Sequence, residues 1–438
     1  MTGELHVRVQ AMLYEADART GFTVVGNLYP VTGRGTALRE VLLPLGAGVA
    51  PAVFPVAPGR WLVEASLPSG DLLCEEVQVT EGSRVPVDLD ATDSPHETHS
   101  WQYVVGNVEP GHIYHDASTV PVPNSSGSRS FERLRPTADR DPGPGPAPAG
   151  VALSWFGDGG ASAPGVAALN VLAEEEATLV PQRLASSLLT VRGRLDHVEP
   201  ATTDGTSHLF RFGAGGPTSG LVPGQRQYLT AAAGGDAYLV TLPCPWLTVD
   251  GSEAVVEVLV NSRQSPTGSA ISVTVRDPAI GAGLAYLANG ALARAATVFR
   301  DVQAMLYGKV MNHLAAAAAG YVLVGTDLAE EPQEWDQWLE NLREWFPQLS
   351  DGAILWGVRR LRLAQTDEDV EAARQSLVEG FDRGLPAYTL GLSWLIDSLS
   401  EFPDDPECAE RLEQVRRLSW RVDMREPFVV VRLGRRTP

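Results

Sequence analysis

From Gly281 onward the hydrophobic period of the sequence changes from two residues to 3.6, so the chain has to build two kinds of layer. Before that point apolar and polar residues alternate, as half-buried strands require. After it Leu284, Leu287, Ala291 and Ala295 fall on one helical face, and Val298, Val302, Leu306 and Val310 continue it. A length of 438 residues exceeds what one core accommodates, so several domains are expected.

The alternating part divides in two. Over residues 1–108, LHVRVQAML places Leu5, Val7 and Val9 on one side, GRWLVEASLPSGDLLCEEVQV reads as a hairpin turning at Pro68-Ser69-Gly70-Asp71, and RVPVDL follows. This predicts a first sandwich. Residues 109–165 hold NSSGSRS, DRDPGPGPAPAG and FGDGGASAPG, a Pro and Gly density suited to a connector. Over 166–280, segments from SLLTVRGRLDHV to GSAISVTVRD alternate again and predict a second sandwich.

Residues 281–425 read as a helical bundle of TPR-like hairpins, with helices near 333–345, 352–364, 367–383, 386–401 and 406–421. Asp351 is placed to cap a helix starting at Gly352, Thr366 to Asp369 reads as a capping start, and Gly384 then Pro386 as a stop and a start. Residues 426–438 form a basic tail or edge strand. The expected fold class is therefore multidomain β + α: two antiparallel β-sandwiches followed by a C-terminal helical bundle.

A net charge of −20 argues against a nonspecific grip on nucleic acid, because phosphate is repelled over most of the surface. Cys74, Cys244 and Cys408 are odd in number and far apart, so no disulfide framework follows and a reducing cytoplasm is expected. The N-terminus lacks a signal-peptide pattern, and no window reaches the length of a membrane span. Lys309 is the one lysine, leaving 33 of the 34 basic residues as arginine.

Candidate chemistry is sparse. PHETHSWQYVVGNVEPGHIYH carries His96, His99, His112 and His115 as two His-x-x-His pairs with twelve residues between them. A zinc site and a polar hinge bracketing a strand both fit. The hinge is favoured, because HETH is one residue short of the helical HExxH pattern and no thiolate accompanies the imidazoles. Asp88, Asp90 and Asp93 supply too few oxygens for calcium. No nucleophile elbow or phosphate-cradling loop occurs, so no cofactor and no catalytic residue is assigned.

Two features suggest binding instead. Trp335, Trp338, Leu342, Trp345 and Phe346 follow one helical face, which is either core, the favoured reading, or a partner groove. The end of the chain turns basic, with Arg416, Arg417, Arg421, Arg425, Arg432, Arg435 and Arg436 around FVVVRL. These arginines either pair with the bundle's carboxylates, slightly favoured, or dock an acidic partner or a second copy, with Phe428 to Leu433 as an added edge strand. The partner-binding candidates are Trp335, Trp338, Trp345, Arg432, Arg435 and Arg436.

Two resemblances add to this reading. FPVAPGRWLVEASLPSGDLLCEEVQVTEG resembles transthyretin-like and carboxypeptidase-regulatory-like modules, which implies a binding or spacer domain without chemistry. AAAAAGYVLVGT with DGAILWGVRRLRLAQTDEDVEAARQSLVEGFDRGLPAYTLGLSWLIDSLSEF resembles helical regions of bacterial caspase- and TPR-repeat-associated (CATRA-like) proteins. That likeness implies an adaptor or recognition subunit in a protease-linked defence system, with a caspase-like or trypsin-like protease or an ATPase component as partner. The alternatives are a metal-dependent hydrolase built on the histidine segment and a self-assembling structural subunit.

Overall fold

The computed structural model describes residues 2–10, 23–32, 35–45, 49–68, 70, 72–90, 151–152, 167–171, 190–191, 194–198, 200–204, 207–213, 226–233, 236–261, 270–277, 279–327 and 331–435. The histidine segment lies outside them, as do Asp93 and most of the connector.

The first unit is a sandwich of two sheets. Its strands are β1 (Gly3–Gln10), β2 (Thr23–Pro30), β3 (Leu38–Pro44), β4 (Ala52–Val56), β5 (Gly59–Ser66), β6 (Leu72–Val79) and β7 (Arg84–Asp90). One sheet runs β4-β1-β7 and the other β3-β2-β5-β6. Burial alternates residue by residue along β1, with Leu5, Val7 and Val9 inside, as the period of two dictates. The β5–β6 hairpin pairs Ser66 with Leu72, and Gly70 adopts φ +94° between them. One pairing departs from the antiparallel expectation: β1 and β7 run parallel, which the long route from β1 to β7 permits and a hairpin does not.

The second unit contains β8 (Val151–Ala152), β9 (Ala167–Val171), β10 (Thr190–Val191), β11 (Arg194–Val198), β12 (Thr202–Asp204), β13 (Ser207–Phe212), β14 (Gln227–Ala233), β15 (Asp236–Leu242), β16 (Val256–Asn261) and β17 (Ile271–Val275). Antiparallel sheets of order β11-β9-β14-β15 and β12-β13-β16-β17 form the sandwich, and β8 pairs with β10. Strand β8 thus falls within the stretch read as connector. The first of these sheets gains a fifth strand from the far end of the chain, β18 (Val430–Arg435), which pairs antiparallel with β15.

Between β17 and β18 come α1 (Gly281–Ala288), α2 (Leu292–Phe299), α3 (Val302–Tyr307), a single 3₁₀ turn (Gly308–Val310), α4 (His313–Thr326), α5 (Asp336–Trp345), α6 (Ser350–Leu363), α7 (Asp367–Asp382), α8 (Thr389–Leu399) and α9 (Pro406–Ser419). Asn312 caps α4, Thr366 and Asp369 close a capping box on α7, and Asp405 with Pro406 starts α9. Two punctuation readings are corrected. Asp351 does not cap α6, which begins one residue before it; its buried carboxylate accepts from the Ala387 and Tyr388 N–H groups and from the Tyr321 hydroxyl. Pro386 does not open the next helix, because Ala387 and Tyr388 are spent on Asp351 and α8 starts at Thr389.

One hydrophobic cluster runs without a break from the second sandwich through the helices to Phe428–Val431, while the first sandwich keeps its own core. The two bodies meet at α1 and α2, the latter against β2 and β3. The buried Tyr286 hydroxyl donates to the Ser66 carbonyl and accepts from the Val25 N–H at 3.2 Å, and Asn289 Nδ2 donates to the Pro68 carbonyl. Burial lifts the Tyr286 phenol to about 12, against the smaller opposing pulls of the Val25 N–H and Arg294, so it stays a neutral donor. Tyr286→Phe is expected to preserve both bodies and to strand the Ser66 carbonyl, at a cost of about 1–3 kcal/mol. Calorimetry then resolves a separate, earlier transition for the first sandwich; one unchanged transition refutes the coupling.

Candidate docking surfaces

The tryptophan face of α5 divides by charge. Trp335 is buried, and this removes it from the surface candidates. The reason lies in Arg359, a wholly buried guanidinium that stacks 4.7 Å from the Trp335 ring and is neutralised by Asp336 at 2.8 Å and Asp327 at 3.3 Å. An unpaired charge there would be prohibitive, so ring and carboxylates are needed together.

Trp338 and Trp345 do reach solvent, at 37% and 53% exposure. They also close over Lys309, whose Nζ lies 4.0 Å from the Trp338 ring centre and 4.8 Å from that of Trp345. Tyr307 packs against Trp338 at 4.7 Å. The ammonium has no hydrogen-bond acceptor, and burial pushes its pKa down. In the sequence Lys309 stood out only by its rarity; its neighbours come from α5, about thirty residues further along the chain, a meeting that local pattern does not reveal.

The basic end of the chain is better used than pairing alone would make it. Arg417 pairs with Glu413 at 2.8 Å and Arg425 with Asp423 at 3.0 Å. Among the described residues, Arg416, Arg421 and Arg432 are exposed and have no carboxylate partner. Beside them Trp420 is 86% exposed. Trp420 is the C-cap of α9, so Arg417 and Arg416 sit three and four residues back, on the same side of the helix. Arg432 joins them from β18, because its N–H donates to the Arg421 carbonyl at 2.7 Å and Val422 bridges to Val431. Trp420 was not singled out by sequence, since exposure cannot be read from one residue beyond a helix stop. The Arg435 backbone lies opposite Asp236, and Arg436 lies outside the described residues.

This surface stands on a rigid base. Phe428 is fully buried, 5.1 Å from the Tyr388 ring and 6.3 Å from Trp246, and buried Glu426 accepts from Ser272 Oγ at 2.7 Å and the Val273 N–H at 3.1 Å. The expected edge strand therefore forms within the chain, on β15. Trp420→Ala is expected to change folding stability by no more than about 0.5 kcal/mol, whereas Phe428→Ala loses about 3–5 kcal/mol, by urea unfolding.

Elsewhere, Asp88 is held by Arg8 at 2.5 Å, and no cluster of three metal-ligating side chains occurs among the described residues. Val358, Leu361, Arg362, Trp394, Asp397 and Glu401 line a shallow groove between α6 and α8. At the seam of sandwich and helices, His313 stacks on Phe346 at 5.0 Å, with the Arg226 guanidinium near it. Burial first, then Arg226, hold the imidazole pKa down from 6.5 to about 4. The unfolded chain therefore takes up a proton that the folded one refuses. Stability is complete above the unfolded pKa and falls as pH drops through that window, by about 3 kcal/mol in all. Burial raises the pKa of Asp351, which acts in the opposite sense and is common to wild type and variant. Urea unfolding should show the stability of His313→Phe relative to wild type rising as the pH is lowered from about 6.5 to about 4.

Residues 282–430 match the family model described as Y4kD C-terminal domain. No curated protein and no solved structure matches the chain. The matched region takes in all the helices but the first residue of α1, together with Trp420, Arg416 and Arg421, and ends where β18 begins.

Proposed function

We propose that the protein is a non-enzymatic adaptor that works by docking, and that the surface of Trp420, Arg416, Arg421 and Arg432 receives an acidic face of a protein partner. The observation that carries this reading is the near-complete exposure of Trp420 among three arginines without carboxylate partners, in a chain of net charge −20. An apolar ring in water stabilises nothing in the free chain, whereas at an interface a tryptophan ringed by arginines combines buried area with charge complementarity. The match to the Y4kD C-terminal domain is compatible with this and names no activity. The likeness of the helical sequence to caspase- and TPR-associated proteins makes an acidic protease or ATPase component the first partner to try.

The test pairs wild type with Trp420→Ala and with the double variant Arg421→Glu/Arg432→Glu. Partners recovered from the source cells are purified and titrated back by calorimetry. Binding is expected to weaken at least about tenfold in Trp420→Ala and more in the double variant, with a flattened salt dependence. Equal affinities for all three proteins refute the assignment of this surface.

A further inference from the structure

We propose that Lys309, beneath the rings of Trp338 and Trp345, is a binding site for a carboxylate carried on an apolar body, independent of the Trp420 surface. The argument begins with an ammonium that has three N–H donors and no acceptor, in a residue with no exposed surface. Two aromatic faces compensate for part of the lost hydration but accept no conventional hydrogen bond. The amine is held in place from below. Asn312 accepts from the Ala315 N–H at 2.8 Å and donates to the Leu247 carbonyl at 2.7 Å, pinning the turn that carries Lys309 to the loop after β15.

The cover, by contrast, is thin. It consists of two partly exposed tryptophans, one of them Trp345 at the last residue of α5. Ligand access to Nζ requires that ring to turn aside, and its half-exposed place at the helix end leaves solvent for it to turn into.

Local charge selects the ligand. Trp338 and Trp345 are seven residues apart on one face of α5, with Asn341 between them, while Glu340 and Glu344 fall on other faces at 100° per residue. The α5 face over the ammonium therefore presents no carboxylate. Val310 and Met311, next to Lys309 in the chain, add exposed apolar surface, and Met311 lies near Gly251. The loop there carries Asp250, whose carboxylate is occupied by Thr248 and Ser252 and held down at about 2. A ligand carboxylate meets one unneutralised cation, forms a charge-assisted hydrogen bond to it, and lays its apolar part on the indoles, Val310 and Met311. A neutral amide of the same shape gains the apolar contact alone.

Because Lys309 is the sole lysine, lysine-specific isotope labelling gives one ε-ammonium signal, read by NMR on the intact chain. Two matched pairs are titrated: phenylbutyrate against phenylbutyramide, and an apolar pentapeptide with a central glutamate against its glutamine twin. At least one acid is expected to bind about tenfold tighter than its neutral twin and to shift the Lys309 signal. Lys309→Met, checked for an unchanged circular dichroism spectrum, is expected to lose that preference. Binding by the peptide alone identifies a partner chain as the source; binding by phenylbutyrate identifies a free organic acid. Equal affinity within both pairs overturns the proposal, on wild-type protein and so without reliance on any variant. A preference that survives in folded Lys309→Met also overturns it.

Discussion

The pairing of β18 with β15 is the contact on which the C-terminal half depends. It carries the chain from the last helix back to the sandwich it left at β17, and it threads Phe428 between Trp246 of the sandwich and Tyr388 of the helices. Antiparallel pairing satisfies the edge of β15, which would otherwise stand open as a template for aggregation. The same return brings Arg432 beside Arg421. Sheet closure, core continuity and surface charge pattern are thus one event, and none of them is available to the helices alone.

Buried charges fix the remaining geometry. Asp351 ties the turn before α8 to Tyr321 of α4, and Arg359 ties α6 to Asp336 at the start of α5. Each is surrounded by donors or acceptors of matching sense, the condition under which burial of an ion is tolerated. Lys309 breaks that rule. Aromatic faces stand where acceptors should, and the departure lies one ring below the surface and not deep in the core. Arg226 also keeps an unpartnered N–H, but its guanidinium donates to the Leu385 carbonyl, whereas the Lys309 ammonium meets aromatic faces alone.

Much of the architecture was legible. The period of two located Leu5, Val7 and Val9 on the inner face of β1, and the capping box at Thr366 and Asp369 opened α7 where local chemistry said it must. What escaped shares a cause: it depends on contacts between residues distant in sequence. The parallel β1–β7 pair, the return of β18 to β15, and the diversion of Asp351 from capping to tethering all rest on partners tens of residues or more away. The surface was legible in part. The α5 stripe named Trp338 and Trp345, yet the stripe itself could not tell that Trp335, three residues from Trp338, would turn inward to meet Arg359. Residue type showed the arginines as a group; which of them lack a carboxylate follows from the fold.

The Trp420 surface draws on two structural units, and this bears on how it would work. Trp420, Arg416 and Arg421 belong to the helical region that matches a family model, whereas Arg432 arrives on a strand of the second sandwich. A helical module without the sandwich would leave FVVVRL without its partner strand and Arg432 without a fixed position. The helices would still present Trp420, but with less of the positive field that steers an acidic partner. Affinity for a partner at this surface would therefore be coupled to the integrity of the β15–β18 pairing. The turn bearing Lys309 is held by a different contact, Asn312 to the Leu247 carbonyl, although Trp246 beside it packs on Phe428.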